Sequence, residues 1–321
     1  MTDEDLPGII NARPVRHYGR WLLAVVVIVL GLMFLNLMIF NPVFNWSLVL
    51  EVMNQTPVIR GMLIGTLLVT LLTMIIGVIG GVILAVMRLS DNPILKGVAW
   101  FYAWVFRSIP RYVLLVFMGA AMGVIFPKGI AIGVPFDWKI IQWLGLTGDW
   151  RLLSVDANWL FGGLVGAIIG LGASEAAYMS EIARAGILSV DQGQHEAAEA
   201  LGMNRGRTMR RIVLPQAMRV IVPPTGNETI AMMKDTSLLA GLGSVTTELF
   251  IQVSAIASRT YEIVPPYMAA IVYYLIITSI LMVGQSYLER RFGRGFGRRP
   301  AAAGPAAAGP AAAGLQVGSS H

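Results

Sequence analysis

Long apolar runs separated by short polar segments dominate the chain. They cover about 21–41, 61–87, 98–126, 159–181, 220–242 and 266–287. A helix needs about 20 apolar residues to cross the hydrocarbon core of a bilayer, so each run reads as a membrane span. The second is long enough to cross with tilt. The third carries Arg107 and Arg111 on either side of Pro110. A break is expected there, with 98–108 lying near the cytoplasmic interface, where Trp100, Phe101, Tyr102, Trp104 and Phe106 suit the headgroup level. The fifth run is the least apolar: it holds Pro223, Pro224, Glu228, Lys234 and Asp235.

Composition agrees with this pattern. The 321 residues are 56% hydrophobic and 13% charged, against about 25% charged in a typical soluble domain. The net charge of +6 does not point to nucleic acid, because the basic residues sit in short stretches between apolar runs. The absence of cysteine excludes disulfides, thiolate metal sites and cysteine nucleophiles. His17, His195 and His321 are far apart, which makes a histidine metal cluster improbable. Arg13, Arg16 and Arg20 precede the first apolar run as in a signal peptide, but Asn41-Pro42-Val43-Phe44 follows it rather than a small-x-small cleavage pattern. A retained first span is expected.

Basic residues set the orientation. Three precede the first span, two (Arg88, Lys96) lie between the second and third, six between the fourth and fifth, and five follow the sixth. The alternate loops hold none in 42–57, Lys128, Lys139 and Arg151 in 127–158, and Arg259 in 243–265. Both termini are therefore expected in the cytoplasm. The same parity requires the polar fifth run to cross, which implies burial against other helices or a place along a cavity. The tail repeats Pro-Ala-Ala-Ala-Gly from Pro300 to Gly314; it offers no apolar pattern to bury, so disorder is expected over 291–321.

The loop between the fourth and fifth spans is the most informative stretch. Asp191 can cap a helix running to about Leu201, and Gly202 is the residue type that ends helices in the left-handed conformation. Asn204 can cap a second short helix carrying Arg205, Arg207, Arg210 and Arg211, with Pro215 expected to stop it. Ala197, Ala198 and Ala200 would permit close approach of a partner surface. An ordinary amphipathic connector explains the same residues.

Glu196-Ala197-Ala198 with Gly202 resembles the EAA loop of the permease subunits of ATP-binding-cassette (ABC) importers. The segments EIARAGILSVDQGQHEAAEALG, LPQAMRVIVPP, Asn227, KDTSL at Lys234–Leu238 and FRSIP at Phe106–Pro110 are similar to the polar amino acid permease group, histidine, glutamine and glutamate permeases among them. The resemblance covers about 60–290. It implies an all-α, multi-span membrane fold: a five-span core over 58–290 with a coupling loop at 188–219, preceded here by a cytoplasmic segment 1–20 and an extra span 21–41. It also implies a prokaryotic cytoplasmic-membrane protein that is no enzyme itself. Its partners would be an ABC ATPase carrying ATP and Mg, a second permease subunit, an external substrate-binding protein and a polar amino acid, with acidic residues or their amides favoured. The expected ATPase-coupling residues are Glu196, Ala197, Ala198, Leu201, Gly202 and Pro215.

The chain departs from the family pattern in three places. Arg107-Ser108-Ile109-Pro110 stands where the family has Arg-Gly-Thr-Pro, Arg111 is unexpected, and Glu175 replaces a small or neutral residue.

In the fifth span, Asn227, Glu228, Lys234, Asp235, Thr236 and Ser237 are candidate substrate contacts. Paired opposite charges would suit a zwitterion. Locking this span to its neighbours explains the same residues, and Lys234 and Asp235 point about 100° apart on a helix, too far to pair with each other. No GxxxxGK[ST] phosphate loop occurs, so ATP hydrolysis would fall to a partner. An ion-coupled secondary transporter is the alternative from another class; it would have no use for the coupling loop.

Overall fold

In the computed structural model, residues 18–126, 130–133, 137–145 and 151–293 are described. The tail repeat and the arginines at 13 and 16 lie outside them. Helix α1 (Tyr18–Phe40) is apolar from Trp21 onward apart from Asn36, and none of its residues is buried. It is tied to the next segment by the Trp46 indole donating to the Met38 carbonyl, 2.9 Å. After α2 (Trp46–Met53), the long helix α3 (Thr56–Leu89) begins with Pro57 in its first turn. The fixed φ of proline favours that place, which explains why the helix starts before the expected residue 61.

Pro110 breaks the third span as anticipated. Helix α4 (Pro93–Ser108) is capped by Asn92, whose side chain accepts from the Ile94 N–H at 2.9 Å. Ile109 is extended, as a residue before proline prefers, and α5 (Arg111–Ile125) leaves at 98° to α4. A small antiparallel ribbon, β1 (Ile130–Gly133) with β2 (Arg151–Val155), brackets α6 (Asp137–Leu144). It is the one departure from a purely helical chain among the described residues. Next come α7 (Ala157–Phe161) and α8 (Gly163–Leu188), then the short helices α9 (Gln192–Ala200) and α10 (Arg205–Thr208). The chain closes with α11 (Leu214–Asp235), a 3-10 segment Thr236–Leu242, α12 (Leu249–Thr260) and α13 (Val264–Gly293).

Helices α1, α3, α8 and α13 are each long and apolar enough to cross a membrane, and α4 and α5 reach that length only when taken together, as a pair bent by 98°. Helix α11, the least apolar predicted span, falls short of that test. It packs against α8 and α13, which is how a polar segment is sheltered from lipid. Pro223 and Pro224 do not disturb its start: the helix runs unbroken through both and gives way only after Asp235, where the 3-10 segment begins.

The centre of the bundle is the α3–α8 pair. Gly77 and Gly81 lie four residues apart on one face of α3. A Cβ added at Gly77 would sit 2.8 Å from the Glu175 Cβ, and one at Gly81 would sit 2.9 Å from the Met179 carbonyl carbon. From the other side, Gly172 faces Ile76. Small residues at this spacing let two backbones close up inside a membrane, where dispersion rather than water exclusion drives helix association.

Candidate functional site

The first region is the hairpin after α8. Asp191 accepts from the Gly193 N–H (2.7 Å) and caps α9. Gly202 adopts φ +70°; its N–H reaches the Glu199 carbonyl (2.9 Å) while the Met203 N–H reaches that of Ala198 (3.0 Å). This paired closure is the Schellman arrangement, which a glycine at that position allows without Cβ strain. Asn204 caps α10 through the Arg207 N–H (2.9 Å).

Pro215 does not stop the second helix. The chain widens into a π turn at Met209–Val213 and continues directly into α11, with Pro215 in its first turn. A wider turn accommodates a ring that lacks an N–H and would otherwise press on the carbonyl four residues back. On α9, Glu196, Ala197, Ala200 and Leu201 are exposed, whereas Ala198 is buried within the chain itself. The α3–α4 turn lies beside this hairpin: Leu89, Asp91, Gln192, His195, Glu199 and Met203 line a common groove of about 580 Å³. The two basic loops thus share one end of the bundle.

The second region lies within the bundle. Arg111, from the first turn of α5, reaches Asp235 (2.5 Å) and Glu228 (3.5 Å) on α11 and Glu175 (2.9 Å) on α8. Its guanidinium also lies over the Tyr178 ring, 4.7 Å from the centroid, a favourable cation–π position. Glu175 is completely buried, and its Oε1 accepts no hydrogen bond among the described residues. The side chains of Glu228 and Asp235 stay partly exposed, at 27% and 32%, so the cluster opens along α11.

The sequence candidates divide around this cluster. Glu228 and Asp235 enter it because a seven-residue spacing returns to the same helix face. Lys234 is exposed and joins no ion pair among the described residues. Asn227 accepts from the Gln285 amide on α13 (2.9 Å). The Thr236 and Ser237 hydroxyls donate to the Met233 and Lys234 carbonyls (2.8 and 2.7 Å); they secure the turn rather than face the cluster.

Arg111 and Glu175 were absent from the candidates, although both stood out as departures from the family pattern. The signal was that two misplaced charges carry opposite sign. Sequence reasoning also missed Glu248. It is fully buried and caps α12 through the Phe250 N–H (2.6 Å), while accepting from Thr66 (3.0 Å) and Tyr274 (2.8 Å).

Residues 77–294 match the family model described as binding-protein-dependent transport system inner membrane component. The arginine transport system permease protein ArgU of Corynebacterium glutamicum is 43% identical over 292 residues, covering 91% of this chain and 86% of ArgU. The glutamate/aspartate import permease protein GltK of Escherichia coli O157:H7 is 34% identical over 251 residues, covering 77% of this chain and 98% of GltK. Among solved structures, an amino acid ABC transporter crystallised with histidines superposes with a TM-score of 0.54 at 30% identity, over 73% of this chain and 94% of that one. The MetNI methionine ABC transporter in an inward-facing form, at 20% identity and TM-score 0.52, shares the fold.

Proposed function

The chain belongs to the binding-protein-dependent transport system inner membrane components, as an amino acid ABC transporter permease, and we propose that it imports a cationic amino acid through the Arg111 cluster. Family membership sets aside the ion-coupled alternative. The charge balance of the cluster carries the substrate reading: Glu175, Glu228 and Asp235 surround one guanidinium, and Glu175 keeps a buried oxygen without a donor among the described residues. Three carboxylates disfavour the acidic or amide side chain expected from sequence. They suit an ammonium and a guanidinium, with Arg111 left to meet the substrate carboxylate. The name of the ArgU relative points the same way.

Charge-assisted hydrogen bonds are worth about 1.5–3 kcal/mol each, so Asp235→Asn should raise the half-maximal substrate concentration roughly 10- to 100-fold. Uptake of labelled arginine against glutamate and glutamine checks this. Preference for glutamate by the unaltered protein would sink the cationic reading.

Coupling falls to the hairpin. In this reading a separate cytoplasmic ATPase, with its ATP and Mg, docks on Glu196, Ala197 and Leu201, which are exposed on α9. Ala198, Gly202 and Pro215 shape the hairpin from behind. A second permease subunit and an external binding protein complete the importer, and both termini face the ATPase side. A β-branched residue at φ +70° costs about 1–3 kcal/mol of backbone strain. Gly202→Val is therefore expected to lower co-purification of the ATPase, and Glu196→Ala to uncouple hydrolysis from uptake. Both variants supporting transport at the unaltered rate would refute docking here.

A further inference from the structure

A second cluster of cations lies at the edge of the bundle, away from the Arg111 cluster and next to the hairpin groove, with which its cavity shares Leu89. Arg88 ends α3, Arg107 ends α4 and Arg184 lies in the last turns of α8. All three converge on one carboxylate, Glu181: Arg184 at 3.0 Å, Arg107 at 3.4 Å, and Arg88 in direct contact. Lys96 adds a fourth cation. Arg88, Lys96, Arg184, Pro93, Gly97 and Trp100 line a cavity of about 430 Å³. The three cations that line the cavity, Arg88, Lys96 and Arg184, against Glu181 leave a formal surplus of +2 there, since Asp91 in the same turn is paired with Arg205.

The surroundings of the cavity identify what would offset that surplus. Helix α4 turns 98° away from α5, so when α5 crosses the bilayer, α4 lies close to its plane. The face of α4 beside the cavity exposes Ile94 (73%), Val98, Trp100, Phe101 and Trp104. Trp100 and Trp104 stack with ring centroids 6.2 Å apart. Tryptophans of this kind anchor at headgroup depth, while the neighbouring apolar side chains meet acyl chains. The α3–α4 turn also adjoins α9 across the common groove, so the cavity opens at the end of the bundle that carries the α9–α10 hairpin.

We propose that this cavity is a binding site for the headgroup of an anionic phospholipid. Arg88, Lys96 and Arg184 would hold the phosphate, and the Trp100 face of α4 would seat the acyl chains. Basic pockets between spans recognise such headgroups by charge, while the apolar apron distinguishes a lipid from a free ion. The site is independent of the substrate reading, because none of its residues belongs to the Arg111 cluster.

The test uses the full-length chain purified from membranes in detergent and exposed to equal amounts of phosphatidylglycerol and phosphatidylcholine. Native mass spectrometry counts the lipid retained. The unaltered protein should keep phosphatidylglycerol preferentially. Lys96→Gln, an exposed substitution that disturbs no ion pair of Glu181, should lower that retention about fivefold. Arg259→Gln, which removes an exposed cation on α12, should leave it unchanged. Three outcomes overturn the proposal: equal retention of the two lipids, equal losses from the two variants, or full displacement of the lipid by millimolar inorganic phosphate. The last would make the cavity a site for free phosphate.

Discussion

Arg111→Met is expected to be the most damaging single substitution in this chain. It leaves the buried Glu175 facing Glu228 and Asp235 with no cation between them. Removing one partner from a buried ion pair costs about 3–5 kcal/mol, because the stranded charge keeps its desolvation penalty. The loss extends to architecture, since Arg111 is where α5, α8 and α11 meet. Detergent-purified protein should show a sharply lowered Tm or fail to accumulate in membranes. Loss of charge, as opposed to loss of side-chain volume, is separable by a second variant: Arg111→Met combined with Glu175→Gln removes the most deeply buried carboxylate charge and should recover part of the stability. An unchanged Tm for Arg111→Met would mean that the cluster is neutralised by other means and is not an ion-pair centre. A double variant no more stable than the single one would mean that Arg111 acts through packing on Tyr178.

Gly65→Ala is expected to be nearly as severe, for a steric reason. The π stretch of α3, Gly61–Leu68, passes directly over the start of α12. A Cβ at Gly65 would lie 2.6 Å from the Thr247 carbonyl carbon and would also overlap the Glu248 Cα. The obstacle is backbone, which cannot swing aside as a flexible side chain would. Overpacking usually costs about 1–3 kcal/mol, and more where the obstacle cannot move. The consequence would spread to Glu248, whose carboxylate holds the α12 N-terminus, Thr66 and Tyr274 together. Gly284→Ala is the matched control, because a Cβ there meets nothing within 4 Å. The two variants should differ by several degrees in Tm. Equal values would show that the 247–248 backbone yields easily.

Pattern alone located most of the spans. Apolar runs of membrane length need no tertiary information, since the bilayer itself satisfies them. The break at Pro110 and the caps at Asp191, Gly202 and Asn204 were legible for a similar reason. Each depends on the local chemistry of one or two residues: a missing N–H, a side-chain acceptor, or a backbone without a Cβ. Pro215 was misread, and Pro223-Pro224 were left unread, because proline reports a cost and not how the chain meets it. A π turn accommodated Pro215, and an unbroken helix carried the other two.

The partners of the intramembrane charges could not be read the same way. Glu228 and Asp235 share a face by simple periodicity, but the residue between them comes from another helix more than one hundred positions earlier in the chain. Sequence registered Arg111 and Glu175 only as two residues out of pattern. Packing of α5, α8 and α11 made them one site, because a charge buried away from water must find its counter-charge wherever the fold brings it. Membrane residence, the number of apolar runs and the capped hairpin were thus determined by the sequence alone. The Arg111 cluster, the cationic corner around Glu181 and the glycine contacts between helices were decided by tertiary structure, since each depends on which helix faces meet, at distances that no local pattern encodes.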